Sequence, residues 1–265
     1  MSPISLKMPR RERIAVVQLF GSIGTALRSD EYVPILEALR RNKTIRAVVL
    51  DIDSPGGEVP ASAYLQLAVS KLAAEKPVIA FVRGTCASGA YLISCPAQRI
   101  VAIPHALIGS IGVLSLWPVV SELMERLGVQ MEVSKGGKLK DMHAFWRAPT
   151  DEEREKSQAL VDEFHEEFVS TVAEARGLEP DAARALATGE VFWAKRALEL
   201  GLVDELGDQE RAIELAMEMG KAPRRLIYVK PRRRRFRRWL GRFANMLVEE
   251  VGMQMERQMQ PRFWF

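Results

Sequence analysis

One short segment combines a hydroxyl nucleophile with a turn that could stabilise an oxyanion. The residues TCASGA at 85–90 lie between a predicted buried strand and a predicted short helix. A Ser at such a junction is held on a tight turn with its hydroxyl exposed, and the N–H of the next residue points the same way. This pattern predicts Ser88 as a nucleophile and Gly89 as an oxyanion donor. The alternative is that Ser88 only caps the following helix, as Ser often does.

A second loop, Asp53-Ser54-Pro55-Gly56-Gly57, also follows a predicted buried strand. Its two glycines let the backbone adopt positive φ and approach a ligand closely. Loops at the carboxyl ends of parallel strands share one edge of the sheet, where ligands bind. We therefore expect this loop to meet Ser88 at that edge. Taken alone, it would also suit an ordinary glycine-rich turn.

A serine hydroxyl needs a base before it can attack an amide, and the chain offers several. The loop KGGKLK at 135–140 contains Lys135, Lys138 and Lys140. A lysine is protonated at neutral pH unless burial favours its neutral form. His105, which follows a predicted strand, and His143, which lies three residues after Lys140, are the alternative bases.

Predicted strands and helices alternate through the first half of the chain, which implies a parallel sheet with helices on its faces. The predicted strands are Arg13–Phe20, Arg46–Ile52, Val78–Val82, Arg99–Ile103 and Gly112–Leu116, with a turn at Gly84–Gly89. The predicted helices are Glu31–Arg41, Val59–Ala74 and Ser121–Leu127.

The second half reads as helical from about residue 150. Thr150 is a good N-cap, and Glu153 completes a capping-box pattern, which predicts a long charged helix to Ala175. Shorter helices are predicted at Pro180–Ala187, Ala194–Leu200 and Asp208–Met219.

Composition favours a globular domain, and the spacing of Cys and His residues predicts no metal site. The chain has 265 residues, of which 48% are hydrophobic and 27% charged. No run of 18 apolar residues occurs, so we predict no membrane span. The apolar run Ile14–Phe20 is too short and too β-branched for a signal peptide, so we expect a cytoplasmic location. Cys86 and Cys95 cannot form a disulfide framework, and the three histidines lack metal-ligand spacing.

A basic amphipathic segment closes the sequence. Residues 224–242 carry ten Lys or Arg and no acid, so the rest of the chain has a net charge of −6 against a total of +4. Phe236, Trp239 and Phe243 recur at helical spacing among the arginines. Such a helix suits an anionic membrane surface, or a subunit interface that buries the same face. Nucleic acid is the least favoured partner, since a basic block attracts phosphates without reading any sequence.

Three motifs in order, DSPGG at 53–57, ASGAY at 87–91 and GSIGV at 109–113, resemble the signal peptide peptidase A family of Ser/Lys peptidases. The resemblance extends over roughly Arg13–Asp208. It implies an α/β fold of the Clp/crotonase type, a spiral of β-β-α units with a helical C-terminal part. Taken with the basic amphipathic segment, it divides the chain into a catalytic domain at 1–230, helical from about residue 150, and a tail at 231–265.

The resemblance assigns roles residue by residue. Ser88 would be the nucleophile, and the N–H groups of Gly57 and Gly89 would form the oxyanion hole. Ser110 would orient the catalytic lysine. The Gly-x-x-Lys-Asp loop of the family matches residues 137–141, which selects Lys140 as the base. The chain departs from the family pattern at Ala90, where Gly is common, and at residues 143–145, where a Gly-Ser-Pro turn is common.

The expected function is a serine endopeptidase that degrades remnant signal peptides or similar apolar peptides near the membrane. The family forms ring- or dome-shaped homo-oligomers, with the Ser/Lys dyad formed within or between protomers. We expect peptide substrates, no cofactor, and a peripheral position at the inner face of the membrane. The alternatives are a crotonase-like acyl-CoA enzyme, for which Glu58 is poorly placed, and a non-catalytic membrane-associated scaffold of the same fold.

Overall fold

The computed structural model describes residues 12–231, which form a mixed sheet with helices on both faces. The strands are β1 Arg13–Phe20, β2 Ile45–Ser54, β3 Val78–Ala87, β4 Arg99–Ala102, β5 Leu107–Gly109, β6 Val191–Trp193, β7 Glu205–Leu206 and β8 Leu226–Val229. The helices are α1 Ser29–Arg41, α2 Val59–Ala73, α3 Gly89–Ser94, α4 Ser121–Arg126, α5 Asp151–Arg176, α6 Pro180–Leu186, α7 Ala194–Glu199 and α8 Gln209–Gly220.

The eight strands are joined in the order β6-β5-β3-β2-β1-β8, while β4 pairs with β3 and β7. All pairings are parallel except that of β5 with β6, which corrects the prediction of a wholly parallel sheet. The predicted strand at Gly112–Leu116 is also wrong, since that segment pairs with no strand of residues 12–231. The strand that pairs in this region is β5, which ends just before this segment and lies between β3 and β6. The expected tail at 231–265 lies, except for its first residue Pro231, outside the described part of the chain.

The central strands are buried on both faces, which explains their nearly continuous apolar sequence. Val48 on β2 belongs to a large core cluster that includes Leu65 of α2. Its neighbour Val49 points to the opposite face and packs in a second cluster with Ala212 and Ala216 of α8. Alternate residues of β2 therefore pack against helices on opposite faces of the sheet. The sheet between these helices positions the loops at its carboxyl edge.

Strand β3 changes partners part of the way along its length. It pairs with β4 at Ile79–Val82 and with β5 at Thr85–Ala87, and its register with β2 shifts between these stretches. Asp53 Oδ1 accepts the Thr85 N–H at 2.9 Å, and a Cβ at Gly84 would lie 2.5 Å from that oxygen. The prediction of a turn at Gly84–Gly89 was therefore wrong, because the strand continues through this bulge to Ala87.

The first turn of α5 confirms the predicted capping box. The Glu153 N–H donates to Thr150 Oγ1 at 3.3 Å, and the Thr150 N–H donates to Glu153 Oε2 at 2.8 Å.

Within residues 12–231, no helix is both long enough and apolar enough to cross a bilayer.

Replacing Thr150 with Ala should lower the free energy of unfolding by about 1 kcal/mol, since an N-cap acceptor is lost. Urea denaturation followed by circular dichroism measures this change. Thr171→Ala is the control, because the Thr171 hydroxyl bonds only to the Glu167 carbonyl inside the same helix. An equal loss in both variants would contradict the capping role.

Candidate active site

The three glycine-containing motifs meet at the carboxyl edge of the sheet. A Cβ at Gly56 would lie 2.8 Å from Ala87 O, from Gly89 N and from Ser88 Cβ, so the 53–57 loop packs directly against the Ser88 turn. The Ser88 N–H donates to Gly109 O at 2.8 Å. The expectation that separate strand ends bring these loops together is therefore confirmed.

Ser88 has an unusual backbone conformation for a residue with a side chain. Its φ is 51° and its ψ is −126°, in a region that costs a non-glycine residue strain energy. Its side chain makes no capping hydrogen bond to α3, so the interpretation of Ser88 as a simple helix cap is wrong. The residue is partly exposed. A strained serine with an uncommitted hydroxyl at a strand-to-helix turn is the arrangement found in nucleophile elbows.

Two backbone N–H groups beside Ser88 have no acceptor among residues 12–231. The Ile23 N–H donates to Gly56 O at 2.8 Å, and the Glu58 N–H donates to Ile23 O at 3.2 Å. This pairing leaves the intervening Gly57 N–H unbonded, and the Gly89 N–H is unbonded as well. Two free N–H groups next to a hydroxyl can stabilise an oxyanion that forms there.

Glycine is required at both of these positions by close neighbours. A Cβ at Gly57 would lie 2.1 Å from Ile23 O, and a Cβ at Gly89 would lie 2.2 Å from Ser62 Oγ. Backbone and buried side-chain atoms therefore exclude larger residues from the turn. Larger side chains would also push the two N–H groups away from the space in front of Ser88.

Ser110 follows β5 and lies next to the residue that binds the Ser88 N–H. Its φ is 49°, and its own N–H donates to Glu190 O at 2.7 Å, just before β6. The antiparallel β5–β6 pair therefore fixes this turn. The Ser110 side chain is partly exposed and forms no hydrogen bond with the described part of the chain.

The three lysines of the 135–140 loop have different partners. Lys135 pairs with Asp141, and Lys138 pairs with Glu152, which raises the pKa of Lys138. Lys140 is exposed, and its side-chain amine forms no hydrogen bond or ion pair with any residue in 12–231. Of the three amines, that of Lys140 is therefore the available one. It is not hydrogen-bonded to Ser88 within its own chain.

Both histidines considered as alternative bases make contacts away from Ser88. His143 Nε2 lies 3.1 Å from Ser157 Oγ, and its ring centre lies 4.2 Å from that of Trp117. His105 is exposed and has an edge contact with Trp193, with the ring centres 6.4 Å apart. Like Lys140, neither imidazole is hydrogen-bonded to Ser88 among residues 12–231.

His143 stands where the family often has a Gly-Ser-Pro turn. Its φ of 70° is in the left-handed region, which His enters more easily than most residues with a side chain. The loop after Lys140 therefore keeps a tight turn in spite of the different sequence.

The remaining reactive groups are inert or unsuited to metal binding. Burial raises the pKa of the Cys86 and Cys95 thiols to about 12, so neither forms a thiolate readily. Cys86 is fully buried although it lies two residues before Ser88. The described residues contain no group of three or more His, Cys, Asp or Glu that could hold a metal ion.

Two solved structures share the fold. A membrane-bound stomatin-specific protease has a TM-score of 0.53 at 18% identity, covering 84% of this chain and 99% of its own. A ClpP1 variant from Listeria monocytogenes has a TM-score of 0.51 at 15% identity, covering 74% of this chain and 93% of its own. The expected Clp/crotonase-like α/β fold is thus confirmed.

Sequence comparisons identify the family. The sequence model of peptidase family S49 matches residues 70–222. A relative named "Putative protease" in Methanocaldococcus jannaschii is 40% identical over 183 residues, 69% of this chain and 59% of the relative's length. Another of that name in Synechocystis sp. is 35% identical over 79% of this chain and 75% of its own. The chloroplastic serine protease SPPA of Arabidopsis thaliana is 30% identical over 80% of this chain and 33% of its own. The chain belongs to peptidase family S49, the serine peptidases of the signal peptide peptidase A type.

Proposed function

We propose that this chain is a serine endopeptidase in which Ser88 is the nucleophile and Lys140 is the general base. The observation that carries the proposal is the strained Ser88 turn, with an uncapped hydroxyl and the free N–H groups of Gly57 and Gly89 beside it. These are the groups that acyl transfer needs, and they come from two loops that the sheet holds in contact.

The reaction follows from these roles. Ser88 Oγ attacks the peptide carbonyl while Lys140 Nζ accepts the hydroxyl proton. The N–H groups of Gly57 and Gly89 bind the oxyanion of the tetrahedral intermediate. The C–N bond then breaks, and Lys140 returns the proton to the leaving amine. A water molecule, deprotonated by the same lysine, hydrolyses the acyl-enzyme and restores Ser88. Ser110 supports the lysine through its hydroxyl.

A second copy of the chain would complete the site. An exposed amine in water stays protonated, so Lys140 must be covered before it can serve as a base. The segment between Ser110 and Lys140 exposes large apolar side chains, with Leu114, Leu116 and Leu127 at 80%, 84% and 69% exposure. Such a surface marks an interaction site. We propose a ring- or dome-shaped homo-oligomer in which the dyad joins Ser88 of one protomer to Lys140 of its neighbour.

Apolar peptides are the substrates that we expect, because the segment after Ser110 carries apolar side chains. Val113, Leu114 and Trp117 line one side of a cleft of about 460 Å³, and Arg154, Ser157, Gln158 and Val161 of α5 line the other. Remnant signal peptides have the apolar character that this wall accepts. The basic tail at 231–265, which beyond Pro231 lies outside the described residues, would hold the enzyme near an anionic membrane surface.

The test combines a fluorogenic peptide assay with a serine-reactive phosphonate and peptide mapping of the adduct. The expected results are peptide cleavage and an adduct on Ser88. Turnover of acyl-CoA without peptide cleavage would favour the crotonase-like alternative. The absence of both activity and adduct would favour a non-catalytic scaffold.

The carboxylate of Asp53 should matter for catalysis because it holds the β3 bulge that aims the Ser88 turn. Asp53→Ala removes the acceptor of the Thr85 N–H, and a shifted nucleophile should be labelled by the phosphonate about 10²-fold more slowly. Asp53→Asn keeps an oxygen acceptor at the same place and should restore most of the labelling rate. Equal labelling of the Ala variant and the wild type would show that the bulge forms without this bond.

A further inference from the structure

A cluster of three charged side chains joins the lysine loop to the start of α5. Arg147 Nε donates to Asp141 Oδ2 at 3.0 Å, and Arg147 Nη1 donates to Glu153 Oε2 at 2.8 Å. Arg147 Nη2 donates to Glu153 Oε1 and, at 3.3 Å, to the carbonyl oxygen of Asp141. One guanidinium therefore binds both the backbone and the side chain of the residue that follows Lys140. We call this cluster the Arg147 clip.

The clip is more protected from water than the Lys138–Glu152 ion pair of the same loop. The side chains of Glu153, Asp141 and Arg147 are 3%, 10% and 29% exposed. By contrast, Lys138 and Glu152 are 78% and 41% exposed. The guanidinium lowers the pKa of the Glu153 carboxyl to about 2, and it also lowers the pKa of the Asp141 carboxyl. All three groups are thus charged at neutral pH, and removing one partner leaves a charge poorly solvated.

Glu153 links the clip to the helix as well as to the arginine. Its carboxylate also accepts the Thr150 N–H within the capping box, so the clip is fixed to the first turn of α5. On the loop side, the Lys140 N–H bonds to Gly137 O at 3.3 Å and the Ala144 N–H bonds to Asp141 O at 3.0 Å. Among residues 12–231 the Lys140 side chain has no anchor, and its loop is held by Asp141 directly after it and by the more exposed Lys138–Glu152 pair before it.

We infer that Arg147 and Glu153 are positioning residues for Lys140, an inference that rests on the proposed Ser/Lys mechanism. The clip fixes the loop so that the amine is presented at a defined place. It also occupies the Asp141 carboxylate, which Lys135 approaches from the other side. Without Arg147, Lys135 would still pair with Asp141 Oδ1, but Oδ2 would be free to pair with the Lys140 amine and favour its protonated, unreactive form.

The test is Arg147→Met, which keeps a long apolar side chain but removes the guanidinium N–H groups that bind Asp141 and Glu153. We expect kcat for the fluorogenic peptide to fall about 10²-fold, with KM changed by less than about threefold, because the base is misplaced while the cleft is intact. The rising limb of the pH–rate profile should move to higher pH, since Asp141 then stabilises the protonated lysine. A purely structural role would lower the melting temperature without moving that limb.

Arg184→Met is the matched control, because Arg184 forms a similar forked pair with Glu166 away from the loop. It should keep the wild-type kcat and pH profile. If Arg147→Met does not fold, Arg147→Lys is the second test. Lysine keeps the positive charge but lacks the paired guanidinium donors, so the rising limb of the pH–rate profile should shift in the same direction by a smaller amount. A folded Arg147 variant with wild-type kcat and pH profile overturns the inference. If Lys140→Ala is itself active, the Ser/Lys proposal fails instead, whatever Arg147 does.

Discussion

Ser88→Ala should abolish peptide hydrolysis, with kcat/KM reduced about 10⁴-fold or more. The oxygen that forms the acyl-enzyme is lost, whereas the backbone still carries a Cβ at the same positive φ, so the turn and its N–H groups are retained. Activity on a fluorogenic peptide and labelling by the phosphonate both measure this. Labelling should disappear completely, because it requires the nucleophile itself.

The control is Ser70→Ala on α2, where the hydroxyl accepts a hydrogen bond from Gln66 at 3.2 Å. This variant should cleave the fluorogenic peptide and be labelled by the phosphonate like the wild type. Persistent phosphonate adducts in Ser88→Ala, mapped to another residue, would move the active site elsewhere in the fold.

The meeting of the two loops was predictable because it depends on a general property of parallel sheets. Gly56 and Ser88 each follow a buried strand, and the carboxyl ends of such strands share one edge. The capping box at Thr150 was equally predictable from the sequence, since its two partners lie three residues apart. In both cases a local pattern was enough to fix the geometry.

The course of β3 beyond Val82 was not predictable in this way. It depends on the bond between Asp53 and the Thr85 N–H, which joins residues 32 positions apart. Strands β6 and β7 have only three and two residues, too few for a periodic pattern. The strained φ of Ser88 likewise arises from its contacts with Gly56 and Gly109, and no residue type signals it.

The choice among the lysines shows the same limit. Sequence position favoured Lys140 through its match to the family motif, but all three amines looked alike in chemistry. Side-chain pairing with Asp141 and Glu152 distinguishes Lys135 and Lys138 from Lys140. Lys140 is exposed within residues 12–231, which no pattern in the sequence indicates. This exposure is the reason for the proposal that a neighbouring protomer covers it.

Lys140→Ala should lower kcat by several orders of magnitude, since the serine then has no base. Lys138→Ala is the matched control from the same loop: its amine is paired with Glu152, so it should keep near wild-type activity. Retained activity in Lys140→Ala, together with loss in His105→Ala or His143→Ala, would contradict the lysine assignment.

Mixing the two inactive chains tests where the dyad forms. If Ser88 of one protomer uses Lys140 of the next, co-assembly of Ser88→Ala with Lys140→Ala places intact Ser88 beside intact Lys140 at some interfaces. Activity should therefore return after the two variants are dissociated and reassembled together, and the phosphonate should label only the chain that carries Ser88. If the dyad forms within one chain, every site in the mixture lacks one partner, and no proportion of the two variants restores cleavage.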